Sequence, residues 1–327
     1  MNAVTFDPCP CCRPARGGLR AEAVDRPSIT EAEWNALYDK VCNWGRWGPD
    51  DQRGTLNLIS GAEVARAAGL VREGRSVSMS RNFPVAPAPN NPTPAQHFMI
   101  RAGDDCAPAG VGMQATSDYI GIAFHGLACS HVDALCHVLQ DDRMYNGRPG
   151  SEVKSTGAVA HSIITMKDGV VGRGVLLDVP RALEIDFVAP GDFLTVADLE
   201  AAERAQGVSV GRGDILTVRT GRDRVPDPEP WRLAGLDPRV GAWLHERGVA
   251  LLGGDGPNDA LPLGLAGRGS LHVLALVGMG MHLMDNLWLE DVAAACAELQ
   301  RWEFQMVVAP LRVEKGTGSP VNPIAIF

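Results

Sequence analysis

The chain has 327 residues, 45% hydrophobic and 21% charged, the proportions of a globular protein long enough to bury a substantial core. A formal net charge of −9 and a pI near 5.4 argue against a nucleic-acid partner, which needs a basic face, and against attraction to anionic membranes. No apolar run approaches the roughly 18–20 residues that span a bilayer, and Met1 to Arg20 lacks the basic-then-apolar order of a secretory signal, so a cytoplasmic location is the default expectation.

In chain order, residues 1–27 read as a loose leader. Its Cys9, Cys11 and Cys12 lack the second, separated pair of ligands that a structural zinc site wants, and eight cysteines in 327 residues are too sparse for a disulfide scaffold. Cys42, Cys106 and Cys296 read as small buried apolar residues. Thr30 and Glu33 form a capping box for a helix running to about Cys42 with Trp34, Leu37, Tyr38 and Val41 on one face; Ser60 and Glu63 form another, for a short helix ending near Gly69. Residues 84–94, rich in Pro and Asn, read as a loop of the kind that overhangs a site. From residue 120 onward apolar segments alternate with helical ones. Val175–Val179, Ile215–Thr220, Val249–Leu252 and Met306–Ala309 read as strands, and Val196–Ala205, Pro238–Arg247 (capped by Asp237) and Leu289–Leu299 as helices. This is an α/β order. No repeat or internal linker appears, so residues 28–327 read as one domain with an N-terminal helical arm.

Three of the eight histidines fall between Phe124 and His137. In an extended segment residues two apart share a face, so His131 and Asp133 can point at one ion, with His137 returning to it after a turn. Mixed imidazole and carboxylate ligation suits Zn²⁺ or Mn²⁺ better than Ca²⁺ or Mg²⁺. Trp44, Arg46 and Trp47 can line a pocket for a small substrate or form a packed aromatic patch. Gly253-Gly254-Asp255-Gly256-Pro257 lacks the Lys and Ser/Thr of a phosphate loop and reads as a turn edging the site. No Gly-x-Ser-x-Gly elbow is present, so serine-hydrolase chemistry has no anchor.

His131-Val132-Asp133-Ala134-Leu135-Cys136-His137 resembles the His-x-Asp-x-x-x-His signature of the cyclase family of metal-dependent hydrolases, which includes the bacterial kynurenine formamidases and the isatin hydrolases. The likeness extends in order through Asn43-Trp44-Gly45, Gly54-Thr55-Leu56-Asn57-Leu58-Ile59, Val218-Arg219-Thr220-Gly221, Leu271-His272, Met284-Asp285-Asn286-Leu287 and Gly318-Ser319-Pro320-Val321-Asn322-Pro323. The resemblance implies a mixed, partly barrel-like central sheet with surrounding helices. It makes His131, Asp133, His272 and Asp285 metal ligands and His137 the proton donor and acceptor. Two departures stand out. Asp285 replaces a longer bridging Glu, and the ligand His that formamidases carry four residues before the one matching His131 is here Leu127. His125, two residues further upstream, can substitute only through a backbone bulge, for which Gly126 gives licence. One firmly bound ion is therefore expected, with a second loose or absent.

The expected chemistry is hydrolysis of an amide, formamide, cyclic amide or lactone by metal-activated water, with His137 moving the proton. The alternatives are a lyase or dehydratase using the same His as a base, or a metal-binding protein without turnover. His282, three residues before Asp285, is a rival to His272 as ligand. A small-molecule substrate and a homo-oligomeric state complete the expectations.

Overall fold

A computed structural model of the protein describes residues 29–104, 112–267 and 269–327. The leader with Cys9, Cys11 and Cys12, and also Cys106, lie outside these residues. The first element is helix α1 (Glu31–Val41), whose Thr30/Glu33 capping box forms as the sequence predicts, followed by α2 (Gly61–Ala68) with the Ser60/Glu63 box. The strands follow: β1 (Ser76–Ser78), the hairpin β2 (Gln96–Arg101) and β3 (Ser117–Gly121), β4 (His131–Asp133), the short pair β5 (Val153–Lys154) and β6 (Gly157–Ala158), and β7 (Val170–Asp178). After α3 (Val179–Ala182) come β8 (Phe193–Leu194), α4 (Val196–Gln206), β9 (Ile215–Arg219), β10 (Gly235–Leu236), α5 (Val240–Arg247) and β11 (Leu251–Gly254). A π-helix over Val273–Met279 leads into β12 (Leu283–Asp285), and the chain closes with α6 (Glu290–Leu299), β13 (Glu303–Val308), β14 (Gly318–Pro320) and β15 (Ile324–Ile326).

Nine strands form one curled, half-barrel sheet in the order β1-β15-β13-β7-β9-β11-β12-β4-β14. The centre, β7-β9-β11-β12, is parallel, as helical crossovers dictate, and both flanks are antiparallel. Every residue of β9 is buried, the pattern of a strand covered on both faces, whereas β13 alternates, with Phe304, Met306 and Val308 inward. α2 and α4 pack on β7, and α1 rests on α5 and the π-helix. Buried side chains from Ile29 to Phe327 form one contiguous cluster. None of the described helices is long and apolar enough to cross a membrane.

Several boundaries differ from the sequence expectation. β7 begins five residues early, because Gly172 and Gly174 interrupt its apolar run; Gly174 stands where an added Cβ would meet the Phe304 ring of β13. β11 ends at Gly254 rather than Leu252, and β13 begins at Glu303. α5 starts at Val240, not Pro238: Asp237 still organises its start by accepting the Arg239 N–H at 2.7 Å. The Ser270–Gly278 segment, whose periodicity allows either a buried strand or a short helix ended by Gly278, is helical and ends at Gly280 in the left-handed region. Cys296 is buried as expected, but Cys42 is only half-buried.

One glycine fixes how the N-terminal arm meets this core. Gly54 has φ +55° and its missing Cβ leaves room for the Gly280 backbone, so the Thr55 N–H reaches the Gly280 carbonyl at 2.9 Å and the Thr55 hydroxyl donates to Ala250 at 2.7 Å. The arm is thereby bonded to the end of the π-helix that carries His272 at its start.

Candidate metal centre

β4 lies between β12 and β14, and its pairing with β12 sets Asp285 directly opposite His131. Directly paired residues share a face, as do residues two apart, so His131, Asp133 and Asp285 converge. His131 Nε2 stands 3.5 Å from Asp133 Oδ1 and 3.9 Å from Asp285 Oδ2. A turn closed by the His137 N–H on the Ala134 carbonyl brings His137 Nε2 to 3.9 Å from Asp133 Oδ1. From the helix after β11, His272 Nε2 approaches Asp285 Oδ2 at 3.2 Å and Asp133 Oδ2 at 3.7 Å. His125 Nδ1 lies 3.0 Å from Asp133 Oδ1. The structure thus gathers every histidine and carboxylate that the sequence nominates. Their ligand atoms fall into two groups, His131-Asp133-Asp285 and His125-Asp133-His137, which share Asp133. His272 and its rival His282 both stand outside these groups, but His272 approaches Asp285 and Asp133, whereas His282 is fully buried with neither ring nitrogen hydrogen-bonded among the described residues.

The Trp44-Arg46-Trp47 segment packs at the far end of the π-helix. The Trp44 indole N–H donates to the Val277 carbonyl at 2.7 Å, Arg46 donates to Asn43 Oδ1 and stacks over Trp47, and Asn43 donates to the Met279 carbonyl.

Several residues that hold the site escaped the sequence reading. Asp259 Oδ2 accepts the His272 Nδ1–H at 2.5 Å, which turns Nε2 toward the cluster; its carboxylate also takes the Leu271 N–H and the Ser270 hydroxyl. Asn258 donates to Asp285 Oδ1 at 2.6 Å. The Cys129 carbonyl accepts the His131 Nδ1–H at 2.9 Å, fixing the same tautomer there. Asn286 donates to the Gly126 and Cys129 carbonyls and accepts from Arg222, which in turn donates to the Leu127 carbonyl, so this network holds the whole 126–129 loop. These partners sit on separate elements, with no local pattern to reveal them. The Gly253–Pro257 turn does edge the site: Asp255 accepts the Thr220 and Gly221 N–H groups at the end of β9, and Asn258 and Asp259 follow directly.

The residues fit a divalent cation. Asp133 is fully buried, and neither of its oxygens has a hydrogen-bond partner among the described residues, an arrangement costly for a carboxylate unless a positive charge compensates it. Burial opposes its ionisation, yet His125, His131, His137 and His272 hold its carboxyl well below the usual range. Burial also opposes protonation of His272, but Asp285 and Asp259 outweigh it and raise the ring well above its usual pKa. A cation in place of the Nε2 proton leaves positive charge between the same carboxylates. His137 differs: burial pushes it down to about 4 despite Asp133, so it is neutral and a proton acceptor at neutral pH.

A family model described as putative cyclase matches residues 76–258. Among solved structures the chain is similar to a novel cyclase, with 31% identity and a TM-score of 0.80 over 89% of this chain and 99% of that one. It is also similar in fold to isatin hydrolase A from Labrenzia aggregata, bound to benzyl benzoate (21% identity, TM-score 0.54, 79% of this chain and 94% of that one). The isatin hydrolase A of Ralstonia solanacearum gives 22% identity and a TM-score of 0.51 over 80% and 95% of the two chains. No curated protein sequence matches. The extent of the family match, and the likeness to the novel cyclase across nearly its whole length, show that this chain belongs to the cyclase family.

Proposed function

We propose that the protein is a metal-dependent hydrolase that uses water to open the carbonyl C–N or C–O bond of a small amide, formamide, cyclic amide or lactone. The observation that carries this reading is Asp133: a fully buried carboxylate with no hydrogen-bond partner on either oxygen among the described residues, faced by His131, His272 and Asp285. Their mixed nitrogen and oxygen donors favour Zn²⁺ or Mn²⁺. A divalent ion held there by His131, Asp133, His272 and Asp285 would supply an acidified water, its pKa lowered from about 15.7 toward ~7, and a Lewis acid for the carbonyl oxygen. His137, neutral and beside Asp133, would be the group that holds the proton and passes it to the departing nitrogen or oxygen. His131 and His272 turn their Nε2 atoms toward the cluster because the Cys129 carbonyl and Asp259 take their Nδ1 protons. In this reading Trp44, Arg46 and Trp47 form an apolar wall for substrate, supported by Trp44, whose ring stays 38% exposed although its N–H is bonded.

Prolonged chelation of the full-length protein should abolish hydrolysis across a panel of formamides, cyclic amides and lactones, and Zn²⁺ or Mn²⁺ should restore it. His131→Ala should lose both metal and turnover. A His131→Ala protein with wild-type metal content and rate sinks the proposal, and products of water elimination instead of hydrolysis would show a lyase.

A further inference from the structure

His125 stacks on His137 with ring centroids 3.8 Å apart and planes parallel, at an interplanar angle of 0°. An imidazole donates to a metal through a lone pair in its own ring plane. Two parallel planes do not meet, so one ion cannot lie in the planes of both rings. Although His125, Asp133 and His137 form a tight group, only one of the two histidines can be a ligand of any single ion there.

The contacts of His125 point to it as the ligand. His125 Nε2 lies 3.1 Å from the Thr317 hydroxyl, which can accept its N–H, the tautomer that leaves Nδ1 bare. That Nδ1 is buried, stands 3.0 Å from Asp133 Oδ1, and yet has no hydrogen-bond partner among the described residues. In that tautomer it faces a buried carboxylate oxygen with no proton between them, the relation of two atoms that share a cation. The backbone explains how His125 arrives there. Gly126 adopts φ +129°, a conformation that side-chain-bearing residues rarely take, and its carbonyl is held by Asn286 at 2.7 Å. Leu127, at the position of the formamidase ligand, is instead buried, and its carbonyl accepts from Arg222. The bulge at Gly126 thus delivers a residue two positions upstream into the place that Leu127 vacates.

Resting on the metal-dependent reading above, we infer that His125 is a metal ligand through Nδ1, replacing the family histidine absent at Leu127, and that its parallel stack keeps His137 out of the coordination shell and free to carry protons. Asp133, common to both groups, connects His125 to the site of His131 and Asp285.

The test is Zn²⁺ titration of chelated full-length protein by calorimetry, with visible absorption of the Co²⁺-loaded form as a second readout. His125→Ala should lose a bound equivalent or bind Zn²⁺ at least tenfold more weakly, with an altered Co²⁺ spectrum. His137→Ala should bind Zn²⁺ within about threefold of wild type and keep the spectrum while losing turnover by ~10²–10⁴. Wild-type Zn²⁺ binding in His125→Ala, or a comparable loss in His137→Ala, overturns the assignment and leaves the metal-dependent reading standing. A wild-type protein that binds no Zn²⁺ overturns both. Thr317→Val leaves every ligand in place and covers the case in which His125→Ala does not fold. It removes only the Nε2 partner and should weaken Zn²⁺ ~10-fold or more; unchanged affinity there also counts against the assignment.

Discussion

Within the site, each ligand histidine is oriented by the atom on its other nitrogen: Cys129 O for His131, Asp259 for His272 and Thr317 for His125. Such partners typically control metal affinity by 10–100-fold. Asp259 carries the heaviest share, since the same carboxylate also receives the Ser270 hydroxyl and the Leu271 N–H that open the helix bearing His272. Asp259→Ala should therefore weaken metal binding within that range and lower thermal stability as well. Asp259→Asn, which keeps an oxygen acceptor but removes the charge, should do less of both. Equal metal affinity in Asp259→Ala and wild type, measured by calorimetry, would show that the ring is held by packing instead.

Among the elements, β9 ends in a buried charge. Arg219, buried at its end, donates to Asp178 at 2.7 Å and pairs with Glu290 at 2.6 Å, tying β9 to the end of β7 and the start of α6. Asp178 is itself buried, so removing Arg219 leaves its carboxylate with only the half-exposed Arg181 as a charged partner. Breaking a buried pair in this way costs about 3–5 kcal/mol. Arg219→Ala should lower unfolding free energy in urea by that amount, whereas removing the exposed Lys40–Glu246 pair by Lys40→Ala should change it by less than about 1 kcal/mol. Because β9 leads into the Thr220–Gly221 turn that Asp255 secures, the loss should also weaken metal retention.

For the whole molecule, two further histidines set an acid limit on stability. His161 and His282 are fully buried, and burial holds them down to about 4 and about 3 respectively. His161 bonds the Tyr145 carbonyl through Nε2 at 2.9 Å, with its Nδ1 unpartnered. The unfolded chain, with histidines near 6.5, binds protons that the folded chain refuses. Stability is therefore complete above about pH 6.5, declines as pH falls from 6.5 toward the folded-state values, and levels off below them. The His161 share is on the order of 2–3 kcal/mol. Melting temperatures of the chelated protein should fall more steeply between pH 6.5 and 4 than those of His161→Asn, which suits the positive φ of 56° without titrating. Parallel curves would assign the acid sensitivity to other groups.

The local patterns were legible from the sequence alone. Thr30/Glu33 and Ser60/Glu63 predict their helices because a capping box closes within four residues, and β9 is readable because burial on both faces leaves an unbroken apolar run. His131 and Asp133 are readable as one site because alternation along a strand is a property of the backbone itself. What the chain could not disclose is contact between distant segments. Asp259, Asn286, Arg222 and Thr317 act on the site across long sequence separations, and no period or cap marks them. The displaced role of His125 depended on the left-handed backbone at Gly126 and on a parallel stack against His137, neither of which one-dimensional spacing encodes. Local order follows from short-range sterics and hydrogen bonding; which atoms share a cation is decided only where the folded strands and loops converge.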